Sequence, residues 1–122
     1  MAGFTLTDMI SFSKSKVMMK ASGGKTDYYG GKNQTARDVL THGPRGVVNY
    51  HLWNNLIATL DLNKKTIYVM DAGYKSTTTK DRINQVLSHK YGGISQTKGM
   101  WYFHNTKTGK VEPWTGEKLI RL

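Results

Sequence analysis

Val47–Asn84 reads VVNYHLWNNLIATLDLNKKTIYVMDAGYKSTTTKDRIN and decides the fold. From Val47 the pattern has period two. Val48, Tyr50 and Leu52 share one face; Val47, Asn49, His51 and Trp53 share the other. Asn54-Asn55 is a two-residue turn signal, because asparagine tolerates positive φ. Leu56, Ala58, Leu60 and Leu62 then form an apolar face, and Asn63-Lys64 marks a second turn. Thr66–Asp71 is rich in β-branched and aromatic residues, as strands are. Three strands joined by short turns make an antiparallel meander.

The period then changes. Gly73 ends the third strand, and Ser76-Thr77-Thr78-Thr79 offers several helix caps. Taking Thr78 as the cap places Asp81 at the third helical position. Ile83, Val86, Leu87 and Tyr91 then form one stripe, and Gly92-Gly93 stops the helix. Beyond it, Ile94–Gln96 and Met100–Phe103 form a hairpin across Thr97-Lys98-Gly99. Pro113 confines any strand around Val111 to an edge. Leu119, Ile120 and Leu122 are available to dock the tail.

Before Val47 the chain is harder to read. Thr7 is a candidate cap for a helix from Asp8 to about Lys20, although Phe4–Thr7 alternates like a strand. Residues 23–46 are punctuated by Gly23-Gly24, Gly30-Gly31 and Gly43-Pro44, with few aliphatic residues between. This stretch reads as a basic arm, mobile until it meets a partner. Thr35–Leu40 suits either a helical turn or a strand. The expected fold is therefore α+β: a three-stranded antiparallel meander, one amphipathic helix and a C-terminal β-hairpin, preceded by a loop-rich basic arm. The 122 residues make one domain, with residues 1–46 as the N-terminal segment and 47–104 as a β-β-β-α-β-β core.

Composition bounds the function. The chain has no cysteine, so it has no disulfide and no thiolate metal site. No run approaches the ~18 apolar residues of a membrane span, and the N-terminus lacks the pattern of a secretory signal. The net charge is +10. It is uneven: residues 14–45 carry seven basic and two acidic groups, residues 46–72 carry two of each, and residues 73–122 carry nine and three. Basic flanks on a neutral scaffold suit a polyanion-binding surface, or simply a soluble one.

Several blocks together resemble a family of small tailed-bacteriophage proteins. They are Val48-Asn49-Tyr50-His51, Leu56-Ile57-Ala58, Asp71-Ala72-Gly73-Tyr74, Ser76–Asn84 and Gln96–Phe103, with a Thr-Thr-Lys-x-Arg-Ile-Asn helix start and a Gln-x-Lys-Gly-x-Trp-Tyr hairpin. The resemblance spans roughly residues 47–104. It implies a phage origin and a role in the cytoplasm of the infected bacterial host, and brings no catalytic residues with it.

Three functions follow as expectations. The first is nucleic-acid binding. Lys75, Lys80, Arg82, Lys98 and Arg37 would form one phosphate patch at the helix start, and Lys25, Lys32, Tyr28, Tyr29 and Tyr74 would add cations and stacking rings. The partner would be DNA or RNA, met through its phosphate backbone. The second is inhibition of a bacterial host or anti-phage defence protein, in the manner of an anti-CRISPR. The third is metal-independent nucleic-acid cleavage by His51 and His104. The residues favour a non-enzyme without cofactor or metal, since no His-x-x-x-His and no carboxylate cluster occurs. Trp53, Tyr68, Trp101 and Phe103 are expected in the core.

Overall fold

The computed structural model describes residues 3–24 and 36–122. Its element order is α1 (Leu6–Ser13), β1 (Met19–Gly24), β2 (Ala36–His42), β3 (Val48–Leu52), β4 (Asn55–Asp61), β5 (Thr66–Met70), α2 (Thr77–Leu87), β6 (Gly93–Thr97), β7 (Met100–His104), β8 (Val111–Pro113) and β9 (Glu117–Arg121). The class is α+β, as the periodicities require. Six strands form one antiparallel sheet in the order β1-β2-β3-β4-β5-β9, and β6-β7-β8 form a second. The meander β3-β4-β5 lies within the larger sheet. The segment before it adds two strands, and the tail closes the other edge by pairing Ile67 with Ile120. Pro113 lies on an edge strand, where its missing N–H costs nothing.

One face of the large sheet is buried. Leu40, Val48, Tyr50, Leu52, Ala58, Leu60, Ile67 and Val69 point into it. The opposing layer is Leu6, Met9 and Phe12 from α1, Ile83, Val86 and Leu87 from α2, and Ile94, Trp101 and Phe103 from the small sheet.

Local details depart from the sequence reading for identifiable reasons. The first helix is capped by Thr5, not Thr7. Thr5 Oγ1 accepts the Asp8 amide at 3.1 Å, and the Asp8 carboxylate accepts the Thr5 amide at 2.9 Å. The helix ends at Ser13, well before Lys20, and Met19–Gly24 is a strand instead. Of the two conformations open to Thr35–Leu40, the strand is the one formed: Ala36–His42 is paired on both sides, within the expected loop-rich arm. In α2 the cap is Ser76, whose hydroxyl accepts the Thr79 amide at 3.1 Å. Asp81 therefore has no capping role. Ser88, with φ of +52°, terminates the helix before Tyr91 and the glycine pair are reached.

The strand faces also change at one point. Tyr50 pairs with Ala58 while His51 pairs with Leu56, which leaves Ile57 as the extra residue of a bulge. Ile57 thus joins Ala58 in the interior. The bulge shifts the hairpin tip as well. Its central residues are Trp53 and Asn54, with φ of +46° and +66°, one position before the turn expected at Asn54-Asn55.

A buried carboxylate ties these layers together. Asp38 on β2 is fully enclosed. Its Oδ1 accepts the Tyr50 hydroxyl at 2.6 Å and Arg82 Nε at 2.7 Å, and its Oδ2 accepts Arg37 Nε at 3.0 Å. The Tyr50 oxygen in turn accepts the Phe4 amide at 3.1 Å. Gly3 packs so closely that a Cβ there would lie 2.7 Å from Arg82 Cδ, and its φ of +92° suits only glycine. β2, β3, α2 and the segment before α1 therefore meet at one carboxylate.

Burial, followed by the bond to and the charge of Asp38, raises the Tyr50 pKa well above its ordinary value. The unfolded chain then loses that proton first as pH rises beyond ~10, so the associated stability is present below pH ~10 and is lost above it. Denaturant melts taken from about one pH unit below that value to about one and a half above it should show the wild type losing stability more steeply than Tyr50→Phe. Equal slopes would mean that this hydroxyl is not held as described.

Candidate functional site: an aromatic cleft at the start of a helix

The start of α2 borders a cleft of about 350 Å³ lined by Leu52, Trp53, Asn55, Ile57, Asp71, Tyr74, Ser76 and Thr79. That volume suits a small ligand or one nucleobase, being at the lower end for ligand pockets. Its walls are made by the β3–β4 hairpin tip and the loop from β5 into α2. Leu52, Ile57 and the buried Thr79 give a floor that is fixed by the core.

Two rings at the cleft stay in solvent. Trp53 is 52% exposed and Tyr74 is 61% exposed. The sequence reading places Trp53 in the core, and the structure corrects it. The left-handed backbone at the hairpin tip turns the ring outward. A bulky residue at positive φ is a conformational outlier, with a cost of about 1–3 kcal/mol. Tyr74 is set by the turn before it, where the Asp71 carbonyl accepts the Tyr74 amide at 2.9 Å.

Asp71 holds that turn. Its carboxylate accepts Trp114 Nε1 at 2.8 Å and the Gly73 amide at 2.8 Å, and its amide donates to the Gly116 carbonyl at 3.0 Å. A carboxylate in the wall opposes an anion inside the cleft. The cations lie outside it, on the helix side. Lys75 is exposed next to Tyr74. Lys80 Nζ donates to Gln96 Oε1 at 3.3 Å, which brings α2 beside the β6–β7 turn where the exposed Lys98 sits. The first-turn amides of α2 add a partial positive charge there.

The expected phosphate patch is thus only partly assembled. Lys75, Lys80 and Lys98 belong to the surface around the helix start. Arg82 does not. Its side chain is 11% exposed, and its guanidinium is committed to Asp38 through Nε at 2.7 Å and Nη2 at 3.4 Å. Burial lowers the Arg82 pKa, but the bond and charge of Asp38 raise it further, so the net shift is upward and the guanidinium stays charged. Arg37 is engaged by the same carboxylate from the strand side. Lys25, Lys32, Tyr28 and Tyr29 lie outside the described residues, as do all of residues 25–35 of the expected arm.

The histidines are arranged differently from the pairing read in the sequence. His51 is on β3 of the large sheet, and burial lowers its pKa. His104 is on β7 of the small sheet, where Nε2 and Ser95 Oγ share a hydrogen bond of 2.5 Å. The pocket that His104 lines contains His89, Asn84, Ser95 and Thr106, and not His51. No group of three or more metal-ligating side chains occurs among the described residues. No described helix is long and apolar enough to cross a membrane.

Two residues central to this region escape the sequence reading as functional candidates. Asp38 lies two positions from Leu40 on an alternating strand, so it falls on the apolar face, a placement that demands buried partners. Trp53 beside Asn54-Asn55 becomes a turn residue once the turn is placed one position earlier.

An antiparallel sheet covered by two helices and a smaller sheet, with an aromatic cleft at one helix start, defines a small α+β protein with a surface cleft. The chain belongs to the Kyanoviridae Gp96 protein family, a phage family whose model matches residues 13–120. This agrees with the phage origin implied by the residue blocks and extends the likeness over both flanks of the meander. No curated protein and no solved structure matches the chain.

The roles of the cations separate in a stability measurement. Arg82→Ala strands a buried carboxylate and should cost about 3–5 kcal/mol. Lys75→Ala, on an exposed side chain, should change the unfolding free energy by under about 0.5 kcal/mol. Urea melts of both variants check this, and similar small effects would detach Arg82 from the fold.

Proposed function

We propose that this phage protein is an accessory factor that binds single-stranded nucleic acid, seating a base at the Trp53–Tyr74 cleft. The phosphates would lie outside the cleft at Lys75, Lys80 and Lys98. The observation that carries the reading is Trp53. It is a large ring held half in solvent by a strained backbone, at a cleft with a second exposed ring and lysines nearby. Strain in a bulky residue that buries little needs a reason outside folding. Base stacking supplies one, at about 1–3 kcal/mol per base, and tolerates any sequence. The placement of cations on one side and Asp71 on the other orients a nucleotide with its backbone toward α2. The net charge of +10 supplies long-range attraction for a polyanion.

Inhibition of a host protein is a second reading. It draws on Val17 and Met18, exposed apolar residues leading into the edge strand β1. An edge of that kind can accept a strand from a partner.

Trp53→Asn tests the first reading. Asparagine accepts the left-handed turn more readily than tryptophan. The variant should therefore melt no lower than wild type, while its affinity for a single-stranded oligonucleotide falls by roughly ten- to a hundredfold. Fluorescence anisotropy and thermal melts give both quantities. Retained affinity, or absence of wild-type binding even at low salt, would sink the nucleic-acid reading.

A further inference from the structure

At the end of the large sheet opposite the cleft, six cations from four separate segments converge. Lys64 and Lys65 come from the β4–β5 turn, Lys90 from beyond α2, Lys107 and Lys110 from the β7–β8 loop, and Arg121 from β9. Backbone and side-chain hydrogen bonds bring these segments together. Leu122 donates its amide to the Lys65 carbonyl at 2.8 Å, and Thr66 pairs with Arg121. Lys107 Nζ donates to the Arg121 carbonyl at 2.7 Å, and Thr106 Oγ1 to the Lys90 carbonyl at 2.8 Å. The ammonium groups of Lys90 and Lys107 stand 5.3 and 5.9 Å from the centre of the Tyr91 ring, so one ring presents both charges.

All six residues are exposed, and none takes part in an ion pair among the described residues. Nearby carboxylates have other work. Asp61 accepts the turn amides of Asn63 and Lys64, and Asp8 accepts the amide of the cap residue Thr5. Lys90 alone could be ascribed to the negative end of the α2 dipole. The other five come from turns, a loop and a strand. The mutual repulsion of these like charges, reduced by salt screening over about 8–10 Å, opposes folding.

We infer that this face is a second phosphate-binding surface for the same nucleic acid; the inference rests on the proposed function and extends its footprint. The partner chemistry follows from the composition of the patch. Protein–protein interfaces have an apolar centre depleted of charge. Nucleic-acid interfaces are polar and strongly positive. Here the centre is a half-buried tyrosine beneath two ammonium groups, which fits a phosphate backbone better than an acidic protein surface. Reach fits as well. The eleven residues of α2 separate cleft from patch by roughly 16 Å at 1.5 Å per residue. A stacked strand advances about 3.4 Å per nucleotide, so about five nucleotides span the gap. A trinucleotide would meet the cleft alone, and a dodecamer would meet both surfaces.

The test is tryptophan fluorescence quenching, with the Trp53 share taken by difference from Trp53→Asn, and anisotropy with single-stranded 3-mers and 12-mers, over a series of salt concentrations. The proteins compared are wild type, Lys90→Glu with Lys107→Glu, and the milder Lys90→Gln with Lys107→Gln. Both variants should melt like wild type and quench equally with the 3-mer. Their 12-mer affinity should fall at least tenfold at low salt, with a log–log salt slope flatter by about 0.7 for each phosphate left unneutralised. An unchanged 12-mer affinity and slope, with quenching intact, overturns the second surface and leaves the cleft standing. Equal wild-type affinity and slope for poly-glutamate assigns the patch to acidic protein surfaces and overturns it too. No binding of either oligonucleotide by wild type removes the nucleic-acid reading itself, and this inference with it.

Discussion

The carboxylate of Asp38 is fully buried on β2, where it meets Tyr50 of β3 and Arg82 of α2. A buried charge is tolerated only when paired and hydrogen-bonded. Here the donors come from Tyr50 on β3, Arg82 on α2 and the neighbouring Arg37. Satisfying one carboxylate therefore fixes the distance of α2 from the sheet and the rotation of the helix about its axis. It also fixes the N-terminal segment, through the Phe4 amide on the Tyr50 oxygen and the close approach of Gly3. A pair of this kind adds little net stability over a well-packed apolar cluster, but removing one member leaves the other stranded. Its contribution is to specify a single arrangement of layers. The start of α2, and with it the cleft wall, is placed by that arrangement.

What is legible in the sequence is local. The stripe of Ile83, Val86 and Leu87 needs only the helical period, and all three are fully buried. Val48, Tyr50 and Leu52 need only period two. The hydroxyl run Ser76–Thr79 signals a helix start but does not choose among its members, and the cap lies two residues before the one expected. The bulge at Ile57 leaves no mark in the pattern, because isoleucine and alanine are both plausible inside. The long-range ties are harder still. Asp38 meets Arg82 across 44 positions and Asp71 meets Trp114 across 43, and neither partner announces the other. That is why Arg82, a cation in a basic helix start, reads as a phosphate ligand when its charge is already taken.

The same logic organises the surface. Once Asp38 has engaged Arg37 and Arg82, and Glu112 has engaged Lys118, the remaining lysines have no acidic partner in an ion pair among the described residues. Two groups of them lie at the two ends of α2. One group adjoins two exposed rings, and the other includes Lys90 and Lys107 over the Tyr91 ring. On the proposed reading, nucleic acid is met by stacking at one end and by phosphate attraction at the other. The helix acts as a spacer fixed to the core by Asp38. Membership of a phage protein family is consistent with such a role and is equally consistent with action on a host protein.

Amide hydrogen exchange with and without a saturating single-stranded 12-mer reads the core and the surface at once. The Phe4 amide, hydrogen-bonded to the buried Tyr50 oxygen, should exchange slowly in both states. Ligand should slow exchange at residues 53–55 and 74–79, where the hairpin tip and the start of α2 border the cleft. Fast exchange at Phe4 in the free protein would contradict the buried network. Ligand protection confined to other segments, with residues 53–55 and 74–79 unchanged, would contradict the cleft.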